Sequence, residues 1–515
     1  MLLLILLIPF AGGLLALLEK EDPAFPPRYI ALVTLLFDLA VIIFRFFLFP
    51  PKALLTASGS WLDMERYRWI GSLGIDFFIG IDGLSLLLVL LTLFIGTVTI
   101  FTSWNRIIKK PGFFYFNILW TIGAMIGVFI SLDMFLFYVF WELMLIPMYF
   151  IIALWGNEQR RRAALTFFIY TQVSGLIMLL SIILLVLIHA RDTGELTFNY
   201  LVLRDSAAHL NAGWLVMMGF FAAFAVKMGI VPFHGWLPLT YAQAPAAGSI
   251  LLAALMAKTG AYGFLRFVVP LFPESAVSFT QAALILGTVT VLYGAITAFG
   301  QRDIKRFIAW TSISHMGYIL LAVFSWNTFT LQGSVMQMLA HGITTGAIFV
   351  LAASLIDRTG TRDISRMGGF WNPAPWMGAA VLIFALAMMG LPGTGNFIGE
   401  FLILIGTFHY SAAIASVATG TLIFSVIYAL WLVHRVFQGP QSPLISASRE
   451  TISDLTKGEW TIQAVLVVVL LWLGFFPSLF LSTSAPWVDD MNAIHVHSSM
   501  PSAEAVKNRL AGGAP

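Results

Sequence analysis

Long apolar runs, each close to the length of a membrane-spanning helix, alternate along this chain with short polar connections. A helix needs about 20 apolar residues to cross the hydrocarbon core of a bilayer, and the hydropathy pattern marks fourteen runs near that length. They cover residues 2–18, 29–48, 84–104, 113–131, 134–154, 166–189, 213–237, 246–269, 279–299, 307–324, 331–356, 376–407, 412–437 and 460–481. The pattern predicts an all-α polytopic membrane protein with about 14 transmembrane helices.

The same pattern leaves little sequence outside the membrane. We expect a single transmembrane domain over residues 1–481 and a polar, partly disordered tail over 482–515, where prolines lie among polar residues. The longest early connection, 49–80, carries Trp61 and Trp69, which are typical of the lipid headgroup level. We predict an extended hairpin or a short helix there.

Composition agrees with a membrane environment. Hydrophobic residues make up 59% of the chain and charged residues 10%, and the mean hydropathy is +0.90. Soluble globular proteins carry about 25% charged residues, so this chain must use lipid as its solvent. The sequence contains no cysteine, which excludes disulfides and thiolate-bound iron–sulfur clusters in this chain.

Positive charge is distributed unevenly between the two sides of the predicted bundle. Seventeen of the 28 lysines and arginines lie in connections after odd-numbered runs, and seven lie in connections after even-numbered runs or in the tail. Basic connections face the cytoplasm in membrane proteins. The count predicts that both chain termini lie on the outer side and that the number of spans is even.

Two of the runs are interrupted by glycine and proline. Run seven contains GIVPFHGWLP at 229–238, and run twelve contains GLPGTGNFIG at 390–399. Paired interruptions in corresponding positions are typical of transporters built from inverted repeats. Because five spans separate the breaks, we predict two inverted five-helix repeats over approximately 113–269 and 279–437. The simpler alternative is that the prolines only kink helices for packing.

Ionisable residues lie deep within several of these runs, where charge is costly and commonly functional. The candidate proton relay consists of Glu142, Lys227, Lys258, His315, His341 and Glu400. We expect these six side chains to meet along one hydrated corridor through the bundle. The alternatives are static ion pairs for the acids and lysines, and hydrogen-bonded core positions for the two histidines.

An ion pair between Glu142 and Lys227 is predicted to hold both residues charged until it loosens. Two unit charges 4 Å apart interact by about 4 kcal/mol at an effective dielectric of 20, so a proton arriving nearby changes the balance. We expect Asp133 to cap the start of run five. Asp38 and Arg45, seven residues apart in run two, are expected to pair locally or reach the interface.

Six motifs around these residues carry a family resemblance. They are FYVFWELMLIPMYFIIALWG at Glu142, FAVKMGIVPFHGWLP at Lys227, LMAKTGAYGFLRF at Lys258, TSISHMGY at His315, MLAHGITTGAIF at His341 and LPGTGNFIGEF at Glu400. Together they resemble the antiporter-like membrane subunits of respiratory complex I, over nearly the whole chain.

The resemblance implies fourteen helices with broken spans seven and twelve, in the inner membrane of a bacterium. It implies that Glu142 and Lys227 form a control pair, that Lys258 is the central relay, that His315 and His341 continue it, and that Glu400 lies towards the exit. It also implies proton translocation with no cofactor in this chain. Flavin, iron–sulfur clusters and quinone are expected in partner subunits. The expected membrane partners include the related antiporter-like chains L and N.

Three other functions stay open on the residues alone. An Mrp-type cation/proton antiporter would use the same row of side chains for sodium exchange, and a membrane hydrogenase subunit is similar in sequence. A haem-bearing electron carrier could use His315 and His341 as axial ligands, although that function leaves the buried lysines unexplained.

Overall fold

The computed structural model describes residues 1–19, 26–48, 60–207, 213–447 and 452–499. Within these ranges, eleven helices are long and apolar enough to cross a membrane, and three shorter apolar helices accompany them. The predicted all-α membrane fold with about 14 spans is confirmed.

The first half of the described chain contains ten helices and one hairpin. The elements are α1 (Leu2–Leu18), α2 (Pro27–Leu48), β1 (Trp61–Ile70), β2 (Ile75–Asp82), α3 (Gly83–Ser103), α4 (Pro111–Ile130), α5 (Met134–Trp155), α6 (Arg160–Thr193), α7 (Tyr200–Ala207), α8 (Gly213–Met228), α9 (Leu237–Gln243) and α10 (Ala246–Leu271).

The second half of the described chain is helical apart from its connections. The elements are α11 (Pro273–Phe299), α12 (Ile304–Phe324), α13 (Thr328–Thr359), α14 (Pro375–Met388), α15 (Gly395–Tyr410), α16 (Ala412–Val436), α17 (Pro443–Ala447), α18 (Lys457–Phe475) and α19 (Ser478–Ser499).

Helices α10, α12 and α13 form the centre of the bundle. The apolar stretches of α10 and α12 are completely buried and that of α13 is almost completely buried, whereas α16 and α18 expose most of theirs. Charged groups in a membrane protein are tolerated where protein shields them from lipid. The central helices therefore provide the positions at which titratable side chains can be kept.

The predicted hairpin is confirmed. Strands β1 and β2 pair antiparallel, and Gly74, at φ 67°, closes the turn between them. Asp133 caps α5 as predicted, since its side chain accepts hydrogen bonds from the backbone N–H groups of Phe135 and Leu136. It also accepts one from the backbone of Asp76 in β2, at 3.0 Å, so the capping residue joins hairpin and bundle.

Both predicted helix interruptions are present. Helix α8 ends at Met228 and α9 begins at Leu237, while α14 ends at Met388 and α15 begins at Gly395. A broken helix leaves backbone groups without partners, and these must be satisfied by protein in a membrane. The Trp236 indole donates to the carbonyl of Val226 at 2.9 Å. The boundaries of the two repeats stay a prediction.

The prediction of a partly disordered tail over 482–515 was wrong for its first part. Helix α19 (Ser478–Ser499) occupies it, and residues 500–515 lie outside the described ranges. Three residues spaced for one helix face, Trp487, Val488 and Met491, are buried, and α19 packs against α3, α11 and α13. This apolar stripe is short and interrupted by polar residues, so the hydropathy pattern of the sequence did not indicate a helix here.

Arg45 does not form the local pair with Asp38 that was one of the two expected outcomes, and its position relative to the membrane interface stays a prediction. Its guanidinium pairs with Asp63 of β1 at 3.1 Å. A local pair with Asp38 does not form, because Asp38 lies on the buried face of α2 and neither of its carboxyl oxygens has a hydrogen-bond partner among the described residues.

Candidate functional site

The six predicted relay residues lie on six different helices. Glu142 lies on α5, Lys227 in the last turn of α8, Lys258 on α10, His315 on α12, His341 on α13 and Glu400 in the second turn of α15. Glu142 is half-buried, and each of the other five is at most 2% exposed. The broken helices therefore deliver one lysine and one glutamate to the interior, each beside its break.

Lys258 lies between two segments of π-helix. These segments, Leu251–Met256 and Phe264–Val268, interrupt the regular hydrogen bonding of α10. Such widened turns are frequent at functional sites. The widening leaves the carbonyl of Ala253 able to accept a hydrogen bond from Lys258 Nζ, at 2.7 Å.

Lys258 and His341 are in direct contact. Lys258 Nζ lies 2.7 Å from His341 Nδ1, and His341 Nε2 lies 3.1 Å from the hydroxyl of Thr345. If the ammonium donates to Nδ1, His341 is the tautomer with its proton on Nε2, which then donates to Thr345. The separation is within the reach for direct proton transfer between side chains, about 2.6 to 3.2 Å.

His315 continues the row to Glu400. The rings of His341 and His315 lie 5.3 Å apart between centroids, and His315 Nδ1 lies 2.9 Å from Glu400 Oε1. The side-chain amide of Gln337 donates to the same carboxylate oxygen at 3.2 Å. The structure thus brings four of the six predicted residues into one connected group.

Glu142 and Lys227 do not form the expected direct ion pair. Neither Glu142 Oε1 nor Lys227 Nζ has a hydrogen-bond partner among the described residues. The Lys227 ammonium instead lies over the indole of Trp141, 4.8 Å from the ring centroid, and the Glu142 carboxylate lies beside Gln172. The aromatic face supplies a neutral attraction for the cation, so the ammonium can be held without touching the acid.

Glycines lie directly against the two carboxylates. A side-chain carbon at Gly175 of α6 would overlap Glu142 Oε1, and one at Gly390, in the break before α15, would lie 2.9 Å from Glu400 Oε2. Neither of these two oxygens has a hydrogen-bond partner among the described residues. Each carboxylate therefore has one oxygen that depends on the absence of a neighbouring side chain.

Lys227 lies close to α10, the helix that carries Lys258. A side-chain carbon at Gly260, two residues after Lys258, would lie 3.2 Å from Lys227 Cβ. The close approach of α8 to α10 puts the backbone of Lys227 next to the helix that carries Lys258. The two ammonium groups belong to adjacent helices that pack on each other.

Comparison with known proteins gives the family of the chain. The family described as NADH:quinone oxidoreductase/Mrp antiporter, TM, matches residues 131–425. The chain belongs to this family. The match includes all six predicted relay residues, and the likeness stated from the motifs is confirmed.

Other members of the family match over almost the full chain. NADH-quinone oxidoreductase subunit M of Escherichia coli (strain K12) is 44% identical over 501 residues, which cover 96% of this chain and 98% of that protein. A chain of respiratory complex I from Thermus thermophilus superposes with a TM-score of 0.85 at 31% identity, covering 96% of this chain and 100% of that one. A chain of the Mrp complex from Dietzia sp. DQ12-45-1b, at 19% identity and a TM-score of 0.82, shares the fold.

Several polar residues of this family member were missed by sequence reasoning. Gln337 binds Glu400, and the hydroxyl of Tyr428 lies 3.3 Å from His315 Nε2. Both belong to apolar helices, and a buried amide in such a helix was the available signal for Gln337. The tyrosine gave no signal, because its ring suits a membrane helix without any polar partner.

Arg266 was also missed, although it stands in the LMAKTGAYGFLRF motif. Its guanidinium pairs with Asp82, which caps α3, and lies 4.8 Å from the centre of the Trp61 ring in β1. The pair is buried and connects α10 to the start of α3 and to the hairpin. The Arg266–Asp82 pair lies outside the group that contains Lys258. We assign it a structural role, which is to hold α10 against the start of α3 and the hairpin.

The haem alternative does not fit this site. Each of the two histidines has polar partners on both ring nitrogens: Lys258 and Thr345 for His341, Glu400 and Tyr428 for His315. Two axial ligands must face each other across a macrocycle, whereas these rings are adjacent at 5.3 Å. The arrangement is suited to moving protons between neighbouring groups.

Proposed function

We propose that this chain is a proton-translocating, antiporter-like subunit of a bacterial NADH:quinone oxidoreductase. The observation that carries the proposal is the connected group Lys258, His341, His315 and Glu400, buried at the centre of the bundle. The full-length similarity to subunit M of Escherichia coli supports the assembly to which the chain belongs.

The chemistry we assign to the group is a sequence of proton transfers. Lys258 donates a proton to His341 Nδ1 across the 2.7 Å contact, and His341 passes its Nε2 proton on towards His315. His315 Nδ1 then delivers a proton to Glu400 Oε1 at 2.9 Å. Both contacts are within the distance for transfer between a positioned acid and base.

Glu142 and Lys227 control the group in this proposal. When the Glu142 carboxylate approaches, it stabilises the ammonium of Lys227; when it withdraws, the buried ammonium is left with the Trp141 ring and transfers its proton towards Lys258. The interaction energy of two unit charges 4 Å apart is about 4 kcal/mol at an effective dielectric of 20. That energy is enough to change proton affinity by several decades.

The redox chemistry belongs to other subunits in this proposal. The chain has no cysteine to hold an iron–sulfur cluster, and we assign no cofactor to it. Flavin, iron–sulfur clusters and quinone are proposed to act in partner subunits, with the related antiporter-like chains L and N beside it in the membrane. We place both termini on the periplasmic side of the inner membrane, from the distribution of basic connections.

Replacement of Lys258 tests the proposal. Inverted membrane vesicles containing the whole complex are assayed for NADH oxidation and for NADH-driven proton uptake. Lys258→Met keeps the length of the side chain but cannot carry a proton, and we expect proton uptake to fall about tenfold or more. Lys109→Met is the matched control, because Lys109 is exposed in a connection.

Three results would overturn the assignment. Full proton uptake by an assembled Lys258→Met complex would show that the central contact is not used. Sodium-dependent proton exchange by the purified chain alone would favour an Mrp-type antiporter. Co-purification with nickel hydrogenase subunits in place of flavin and iron–sulfur subunits would assign the chain to a hydrogenase assembly.

A further inference from the structure

Another buried lysine, besides Lys227 and Lys258, lies on the face of the bundle that carries the basic connections. Lys305, in the first turn of α12, is 4% exposed. Its Nζ donates to the carbonyl of Ala244 at 2.8 Å and lies 3.1 Å from the hydroxyl of Ser249. Both acceptors are neutral, so the cation has been buried without a carboxylate in hydrogen-bond contact, an arrangement that is costly in a membrane protein.

A polar cavity of about 660 Å³ opens on the same face. Its walls include Asn157, Asp303 and Arg362. Asn157 donates to the carbonyls of Ala242 and Gln243, at 3.3 Å each. Asn157 therefore joins the cavity wall to the C-terminal end of α9. The next carbonyl along the chain, that of Ala244, lies 3.5 Å from the Asn157 amide and accepts the hydrogen bond from Lys305.

Four charged groups face Lys305, one from the start of its own helix and three from neighbouring segments. They are Asp303, at the start of its own helix; Arg362, in the connection after α13; Arg106, after α3; and Asp357, on α13. Arg362 pairs with Asp303 at 3.3 Å, and Arg106 pairs with Asp357 at 2.6 Å. Because each acid already has an arginine partner, Lys305 is not needed to neutralise either.

Polar groups continue from Lys305 towards Lys258. The Ser249 hydroxyl donates to the carbonyl of Tyr241 at 2.8 Å, and the Tyr241 hydroxyl donates to the carbonyl of Leu252 at 3.1 Å. Leu252 lies in the π segment of α10, where the next carbonyl accepts the hydrogen bond from Lys258. Ser249 and Lys258 are nine positions apart in the chain, which corresponds to a rise of about 14 Å along a helix.

We propose that Lys305 is the proton-accepting residue at the cytoplasmic end of the path to Lys258, receiving protons from the polar cavity and passing them inward past Ser249 and Tyr241. The step is a proton transfer only: the Lys305 ammonium loses a proton that is finally accepted by the Lys258 amine, which is neutral after its own transfer to His341, and Lys305 regains a proton from the cavity. The inference rests on the proposed function, since it requires Lys258 to be a proton carrier.

The competing role for Lys305 is a clamp that holds the connection between α9 and α10 through Ala244. Arginine separates the two roles, because a guanidinium keeps the charge and the donors but does not release a proton in proteins. Lys305→Arg and Lys305→Met are both expected to lower NADH-driven proton uptake in inverted vesicles about tenfold. Ser249→Ala is expected to lower it less, and the exposed pair Lys109→Arg and Lys109→Met should leave it unchanged.

Each result decides between named outcomes when the amount of assembled complex is measured alongside. Full uptake with Lys305→Arg would overturn the proposal and assign a clamp, whatever Lys305→Met does. If Lys305→Arg does not assemble, Lys305→Gln replaces it, since the amide keeps a neutral donor, and normal uptake with Gln would equally overturn the proposal. Lys258→Met is measured in the same series: full uptake with that variant refutes the proposed function itself, whereas its loss beside normal Lys305 variants refutes only this inference.

Discussion

The two broken helices present their titratable residues in opposite ways. Lys227, before the first break, has no hydrogen-bond partner among the described residues and lies over an aromatic ring. Glu400, after the second break, is bound through one carboxylate oxygen by both His315 and Gln337. The first half of the bundle thus holds a charge loosely, and the second half holds one within a connected group.

The difference assigns different work to the two halves. A buried charge without a fixed partner is sensitive to any change in the position of a nearby charge, because little else compensates its desolvation. A charge within a hydrogen-bonded group is held in place and has neighbours ready for transfer. We infer that Lys227, at the first break, controls proton transfer, and that Glu400, at the second break, lies on the path of the protons.

The largest expected effect is in the connected group. His341→Phe keeps an aromatic ring but removes both nitrogens, so Lys258 loses its nearest proton acceptor. We expect proton uptake to fall by about 10²-fold, the lower end of the contribution typical of a general acid or base. His409→Phe is the matched control, since His409 is exposed on α15; equal behaviour of the two assembled variants would refute the connected path.

The next effect concerns the loosely held charge. Lys227→Met removes the cation over Trp141, and we expect a several-fold loss of proton uptake. Lys227→Arg should assemble but should not recover normal proton uptake, because arginine keeps its proton. The measurement is the rate of NADH-driven uptake per assembled complex. Recovery of normal uptake with arginine would mean that Lys227 acts only as a fixed charge.

A smaller effect is expected at the second break. Gly390 has φ 74° and would bring a side-chain carbon to 2.9 Å from Glu400 Oε2. Gly390→Ala combines about 1 to 2 kcal/mol of backbone strain with displacement of the carboxylate. Gly439→Ala has the same backbone strain, at φ 79°, and open space around it. Uptake should fall with the first and not with the second; parallel losses would show that strain alone is responsible.

The smallest effect is expected at the first carboxylate. In Gly175→Ala the new methyl group overlaps Glu142 Oε1, a flexible side-chain end that can move aside. Gly420→Ala, on α16, meets no atom within 4 Å and provides the same gain in helix propensity, about 1 kcal/mol. We expect a modest fall in uptake for Gly175→Ala alone. An unchanged rate would indicate that the position of Glu142 is not critical.

The fold was largely predictable because a membrane imposes simple rules on a sequence. Run length, the two glycine- and proline-rich breaks and the Asp133 cap were all visible before any packing was known, and each is confirmed. The helix after Pro477 was not predicted, because its buried stripe is short and lies among polar residues. Depth in a span also indicated each of the six relay candidates, but it could not show which of them touch.

The sequence alone determined that a row of ionisable side chains lies inside a helical membrane bundle, because hydrophobic length and the cost of buried charge depend on local composition. Tertiary structure decided that Lys258 contacts His341 and that His315 contacts Glu400, whereas Glu142 and Lys227 stay apart. Those contacts join residues up to 85 positions apart in the chain, and helix rotation and close approach at glycines set them. Such distances follow from the packing of several helices at once, which no single stretch of sequence specifies.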